Sequence, residues 1–122
     1  MAKPTHQDAM VMLNLMQWGA LADMSSATRF VWSDAYIEEY AQFVEKYPSG
    51  TVENGYVSLY CGYYESIATL WKNDLLNEDL LFDWLLISSP WNRVKGYALG
   101  LREETGEPRI YENFEALAAA QK

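Results

Sequence analysis

The chain has 122 residues, of which 50% are apolar and 15% aromatic, so it can bury a hydrophobic core and is not expected to be disordered. Its formal net charge of -8 at pH 7 makes nucleic acids and anionic membrane surfaces poor partners, because like charges repel. The single cysteine allows no disulfide within the chain, which favours a reducing, cytoplasmic location. We expect one helical domain over residues 1–122, with residues 1–5 flexible.

The first predicted helix runs to about Asp23, with Thr5 as its N-cap and Asp8 near the positive end of the helix dipole. It is apolar on nearly every side, and it includes Met10, Met12 and Met16. Such a helix must be covered by the rest of the chain or by a partner, and methionine adapts well to contact surfaces. We therefore expect a protein interface at these methionines, and a homodimer.

The first twenty residues also resemble a secretory signal, since Lys3 precedes an apolar run that ends in small residues. Asp8 precedes the run, however, and Asn14 and Gln17 interrupt it. The run is shorter than the roughly 20 apolar residues that a membrane span requires. We predict neither a cleaved signal nor a transmembrane helix.

A second helix is predicted from Ser25–Ser26, as N-cap, to Tyr47, where Pro48 and Gly50 end it. Its polar positions recur at helical spacing, and they are Asp34, Glu38, Gln42 and Glu45.

The third predicted helix, from Gly55 to Asn73, has polar residues on only about a third of its circumference. An apolar surface this wide cannot be buried against one neighbour, so we expect a central helix with others on two or three sides. Its tyrosines need partners for their hydroxyls, which leaves two interpretations open. The aromatic side chains are either core and rim, or they line a small-ligand pocket formed by Tyr60, Tyr63, Tyr64 and Trp71 with Glu65 or Lys72 at its edge. A reactive thiol at Cys61 is disfavoured by its apolar neighbours.

Three further helices are predicted. Asn77 caps a short one, Ser89 caps the next with Pro90 at its first position, and that helix ends near Thr105–Gly106. The last helix is predicted to begin at Pro108. The sequence therefore predicts an all-α bundle of five to six helices around the aromatic-rich helix at about 55–73.

The helix after Pro90 carries Arg93, Lys95 and Arg102, but they flank its apolar stripe on two sides and do not form one basic face. Gly96 and Gly100 lie opposite the apolar stripe. Glycines there either are tolerated on an exposed surface or allow a close backbone approach, so we include them as candidate interface residues.

Two stretches carry a family resemblance: "NGYVSLYCGYYESIATLWKNDLLNEDLLFDWL" and "WNRVKGYALGLREETGEPRIYENFEAL". Over residues 27–117 the sequence resembles a family of small bacterial helical proteins classed as a domain of unknown function. The resemblance implies an N-terminal membrane anchor in many members, and here Asn14 and Gln17 depart from that pattern. It implies no activity.

Catalytic signatures are missing from the sequence. The one histidine, His6, leaves Ser-His, Cys-His and His-rich metal sites without a second partner, and no phosphate-binding glycine loop is present. We therefore expect no catalytic residues, metal or cofactor. The predicted function is a non-catalytic protein that acts through protein-protein contact, and the alternative is a small-ligand sensor with an aromatic-lined pocket.

Overall fold

The computed structural model describes residues 2–121, and within that range the backbone forms seven α-helices and no strand. The helices are α1 (His6–Leu21), α2 (Met24–Val31), α3 (Tyr40–Lys46), α4 (Val52–Lys72), α5 (Glu78–Trp84), α6 (Ser88–Thr105) and α7 (Glu112–Ala120). Over these residues no helix combines the length and the apolar character needed to cross a membrane. The all-α prediction is confirmed, and the helix count exceeds the expected five to six.

The centre of the bundle is α4, which packs against α2, α6 and α7. The core runs from Leu15 in α1 to Ala118 in α7, and α4 contributes Val57, Tyr60, Cys61, Tyr63, Tyr64, Ile67 and Ala68 to it. Over the described residues no other helix contributes as many buried residues. Since burying each large apolar side chain stabilises the fold by about 1.5–3 kcal/mol, α4 contributes the most to stability through burial. The predicted central helix is confirmed, although it begins at Val52 because Thr51 caps it by accepting a hydrogen bond from the Asn54 N–H.

The start of α1 is fixed by a reciprocal pair of caps. The Thr5 hydroxyl accepts a hydrogen bond from the Asp8 N–H, and the Asp8 carboxylate accepts one from the Thr5 N–H. The other Asp8 oxygen accepts the Asn77 N–H at 3.0 Å, which ties α1 to the start of α5. Hydrogen bonds from Thr5 lower the pKa of the Asp8 carboxyl. The predicted N-caps Thr5 and Asn77 are both confirmed.

The prediction of one continuous helix from Ser25–Ser26 to Tyr47 is wrong, because the chain leaves the helix after Val31 and resumes it at Tyr40. The Ser33 hydroxyl donates to the Phe30 carbonyl and accepts the Ala35 N–H, so it competes with the helical hydrogen bonds. The predicted cap is also displaced: Asp23, in a left-handed conformation with φ 62°, caps α2.

The last two helices begin differently from the prediction. Ser89 does not cap α6; that role falls to Gln121, whose side-chain oxygen accepts the N–H groups of Ile87 and Ser88 at 2.6 and 3.3 Å. The final helix begins at Glu112 and not at Pro108. Arg102 holds the preceding turn by donating from Nε to the Ile110 carbonyl at 2.8 Å. The predicted end of α6 at Thr105–Gly106 is confirmed.

Candidate functional site

The aromatic residues predicted to line a ligand pocket lie in different surroundings. Tyr60 is buried, and its hydroxyl accepts a hydrogen bond from Trp32 Nε1 at 3.0 Å. The Tyr63 hydroxyl donates to the Leu15 carbonyl at 2.8 Å. The Tyr64 ring stacks on Phe114, with 5.0 Å between the ring centroids. The three rings also pack on one another, with centroids 5.1 Å apart for Tyr60 and Tyr64 and 6.0 Å apart for Tyr63 and Tyr64. All three side chains belong to the buried core, and the Tyr60 and Tyr63 hydroxyls are engaged by different parts of the chain.

The other two predicted pocket residues lie at the edges of α4. Trp71 is half-buried, and its Nε1 donates to the Glu78 carboxylate at 2.9 Å. Glu65 accepts the Phe114 N–H at 2.9 Å and the Asn113 side-chain amide at 2.8 Å. Both polar groups are therefore engaged by the fold itself.

Cys61 is completely buried in the core, and burial raises the pKa of its thiol. A thiol in this environment is protonated at neutral pH, and the protonated form is a weak nucleophile. Within residues 2–121 no three His, Cys, Asp or Glu side chains are grouped so that they could hold a metal ion.

The predicted interface residues divide into two groups. Met10 and Met16 are exposed on α1, whereas Met12 is half-buried. Gly96 and Gly100 are half-buried beneath the chain's own segment before and within α3: a methyl group at Gly96 would overlap the Glu38 carbonyl oxygen, and one at Gly100 would overlap the Tyr40 ring. Of the two alternatives for these glycines, the structure has the close approach, and the approaching groups belong to the same chain.

In the described part of the chain, α1 carries five of the ten exposed large apolar side chains, and we call four of them, Met10, Leu13, Met16 and Leu21, the outer face of α1. Their exposed fractions are 60%, 55%, 46% and 83% respectively. From Ala9 to Ala22 the chain has no ionisable side chain, so this face is uncharged in a protein of net charge -8. The buried side of α1 presents Leu15 and Gly19 to the core. Leu13 and Leu21 were missed from the sequence because the helix is apolar on both sides and its pattern does not show which side faces inward.

A groove lies on the surface of α4 and extends to α1. It has a volume of about 470 Å³ and is lined by Trp18, Gly55, Ser58, Leu59, Gly62, Tyr63 and Ser66. Trp18 comes from α1 and packs against Tyr63, with ring centroids 5.1 Å apart. The groove therefore reaches α1 at Trp18, about one helical turn from Leu21 on the outer face.

The family comparison covers almost the whole chain. A family described as a domain of unknown function (DUF4760) matches residues 4–121. The chain belongs to the DUF4760 family. Comparisons with curated proteins and with solved structures gave no match. The DUF4760 assignment confirms the predicted resemblance to a domain of unknown function and brings no activity with it.

Proposed function

We propose that this DUF4760 domain is a non-catalytic interaction domain that self-associates as a homodimer through the outer face of α1. The observation that carries the proposal is the exposure of Met10, Leu13, Met16 and Leu21 on one uncharged helix face. Large apolar side chains exposed together on one helix typically mark a site of protein contact, because leaving them in water is unfavourable.

The charge distribution favours a second copy as the partner. The chain has 17 acidic and 9 basic residues, so two copies repel each other over most of their surface. On α1 the stretch between Asp8 and Asp23 has no charge, and two such helices can meet without burying or opposing carboxylates. Methionine side chains also adapt to a facing copy of the same surface.

A membrane surface is the less favoured occupant. Helices that lie in a membrane interface generally carry lysine and arginine on their polar face. Between residues 6 and 21, α1 has none, and the acidic protein around it is repelled by anionic lipids.

The non-catalytic part of the proposal is supported by the surroundings of the candidate reactive groups. Cys61 is fully buried in the core, and the Glu65 carboxylate accepts a hydrogen bond from the backbone of α7. His6 lies at the exposed first position of α1. We also propose a cytoplasmic location, since a lone buried cysteine requires no oxidising compartment.

Sedimentation equilibrium of the wild-type protein and of a Leu21→Glu variant tests the proposal. The wild type is expected to be a dimer, and the variant is expected to raise the dimer Kd by roughly 100-fold, because each copy then buries an unpaired carboxylate. Leu86→Glu is the matched control, since Leu86 is 73% exposed but lies between α5 and α6. A wild type that stays monomeric up to about 1 mM, where weak complexes form, contradicts the proposal.

Binding of the wild type to neutral phosphatidylcholine vesicles is measured in parallel by co-sedimentation. Vesicle binding that Leu21→Glu abolishes, together with a monomer in solution, would identify a lipid surface as the occupant and overturn the homodimer.

A further inference from the structure

The outer face of α1 is too small to hold a dimer alone. A helix of 16 residues is about 24 Å long and about 10–12 Å wide, so one face has a projected area of only roughly 250 Å². Stable interfaces bury about 800 Å² on each partner. Additional surface next to α1 must therefore contribute, and it must be free of charge if two acidic chains are to meet there.

The α4 groove meets both requirements. It reaches α1 at Trp18, about one helical turn from Leu21 on the outer face, and none of its lining residues is an acid or a base. The Ser66 hydroxyl donates to the Gly62 carbonyl at 2.9 Å, so it is turned toward its own helix and leaves the groove without a free donor there. With Leu59, Tyr63 and two glycines beside it, most of the floor suits an apolar side chain.

The helical glycines point to the same place. Gly19, Gly96 and Gly100 are each explained by a close contact within the chain, with Tyr63, Glu38 and Tyr40 respectively. A methyl group at Gly55 or Gly62 would meet no atom within 4 Å. Glycine weakens a helix relative to alanine, so these two carry a cost that the isolated chain does not explain. Both line the groove.

We infer that the α4 groove receives the outer face of α1 from a second copy. This inference rests on the proposed homodimer and adds its receiving surface. A two-fold axis beside Trp18 forms the contact twice, with each α1 seated on the partner's groove, as an isologous interface requires. The open space over Gly55 and Gly62 then admits the large side chains of the incoming helix, and the dimer becomes a four-helix layer of two α1 and two α4 helices.

The test fills the groove without altering α1. Gly62→Leu adds a side chain where the chain has open space, so the variant is expected to keep the wild-type circular dichroism spectrum. Its dimer Kd in sedimentation equilibrium is expected to rise at least roughly 10-fold, because the added side chain occupies the volume of the incoming helix. Ala116→Leu adds a comparable side chain to the exposed surface of α7 and is expected to leave the Kd unchanged.

A second measurement reports directly on whether the groove is covered in the dimer. Because Cys61 is buried, a nitroxide spin label attaches selectively to Ser58→Cys in the groove or to Ala116→Cys on α7. The label at residue 58 is expected to lose mobility as protein concentration rises through the dimer Kd, or to weaken the dimer itself. The label at residue 116 should do neither.

The outcomes separate the two proposals. The groove inference alone is overturned if Leu21→Glu weakens the dimer but Gly62→Leu does not, and if the label at residue 58 stays mobile without changing the dimer Kd. A wild type that is monomeric at all concentrations overturns the homodimer and the groove with it.

Discussion

The carboxylate of Glu65, in the middle of α4, accepts a hydrogen bond from the backbone N–H of Phe114 in the first turn of α7 at 2.9 Å. Tyr111, the residue before α7, makes no side-chain cap of its own. The first N–H groups of a helix have no partner within it, and a negative charge at that end is favourable. Glu65 is therefore the N-terminal cap of α7, supplied by another helix.

We predict that Glu65→Ala lowers the free energy of unfolding by about 1–3 kcal/mol, because it leaves a partly buried N–H without its acceptor. Glu65→Gln should cost less, since the amide oxygen still accepts a hydrogen bond. Urea denaturation followed by circular dichroism measures both. Glu45→Ala, an exposed glutamate on α3, is the control and should change stability by less than about 0.5 kcal/mol. A Glu65→Ala protein as stable as wild type would contradict the assigned cap.

Caps show clearly what the sequence can predict. Thr5 and Asn77 stand directly before the helices they cap, and a short-range pattern finds them. Glu65 and Gln121 cap α7 and α6 from far along the chain, so no local pattern connects cap and helix. The sequence marks Glu65 only as a polar residue beside tyrosines, because its partner in α7 is set by the packing of α4 against α7.

Arg93 ends α2 by a similar long-range contact. Its Nε donates to the Val31 carbonyl at 2.8 Å, and its Nη2 donates to the Ser33 carbonyl at 3.1 Å. We predict that Arg93→Ala lowers the free energy of unfolding by about 1.5–3 kcal/mol, as expected for hydrogen bonds from a charged group. Arg93→Lys should recover only part of this, because a single ammonium group cannot reproduce the planar fork.

Thermal or urea denaturation tests this prediction, with Lys95→Ala on the same helix as the control. Lys95 is exposed, and its loss should have little effect. Full recovery of stability by Arg93→Lys would show that charge alone matters at this position.

The break between α2 and α3 also explains the main error in the predicted fold. Residues 25–47 have helical spacing of apolar and polar positions, and neither proline nor glycine interrupts them. The break depends on the Ser33 hydroxyl and on the guanidinium of Arg93, which lies 60 residues further along the chain. In contrast, the spacing of apolar residues in α4 predicted its central position correctly, because so wide an apolar surface can be buried only with other helices on several sides.

Glycine substitutions in α4 and α6 are predicted to have opposite effects on stability. Gly100→Ala should destabilise the protein by about 1–3 kcal/mol, because the added methyl group overlaps the Tyr40 ring. Gly62→Ala should stabilise the monomer by about 0.5–1 kcal/mol, because the methyl group enters open space and alanine favours the helix. Urea denaturation below the dimer Kd compares the two. Equal effects would contradict the contrast in packing.

Cys61 is predicted to be inert in the folded protein. The side chain is fully buried, so a disulfide reagent cannot reach the sulfur. Burial also raises the pKa of the thiol, so the reactive thiolate does not form. We expect no reaction with 5,5′-dithiobis(2-nitrobenzoate) at pH 8 in buffer, and one thiol per chain after unfolding in urea. Ser58→Cys provides the control for an exposed thiol. Rapid labelling of the native wild type would require Cys61 to reach solvent.

Stability is predicted to fall at alkaline pH. Burial, followed by the hydrogen bond to Glu104, raises the pKa of Tyr40 to about 12, and burial raises the pKa values of Tyr60, Tyr63 and Tyr64. In the unfolded chain a tyrosine has a pKa of about 10. The folded protein therefore binds these protons more tightly, so their contribution is complete below pH 10 and is lost as pH rises from 10 toward 12 and above. Absorbance at 295 nm should show these tyrosines ionising together with unfolding, and Tyr40→Phe should make the loss less steep. Tyrosines that all ionise near pH 10 while the helices persist would contradict this prediction.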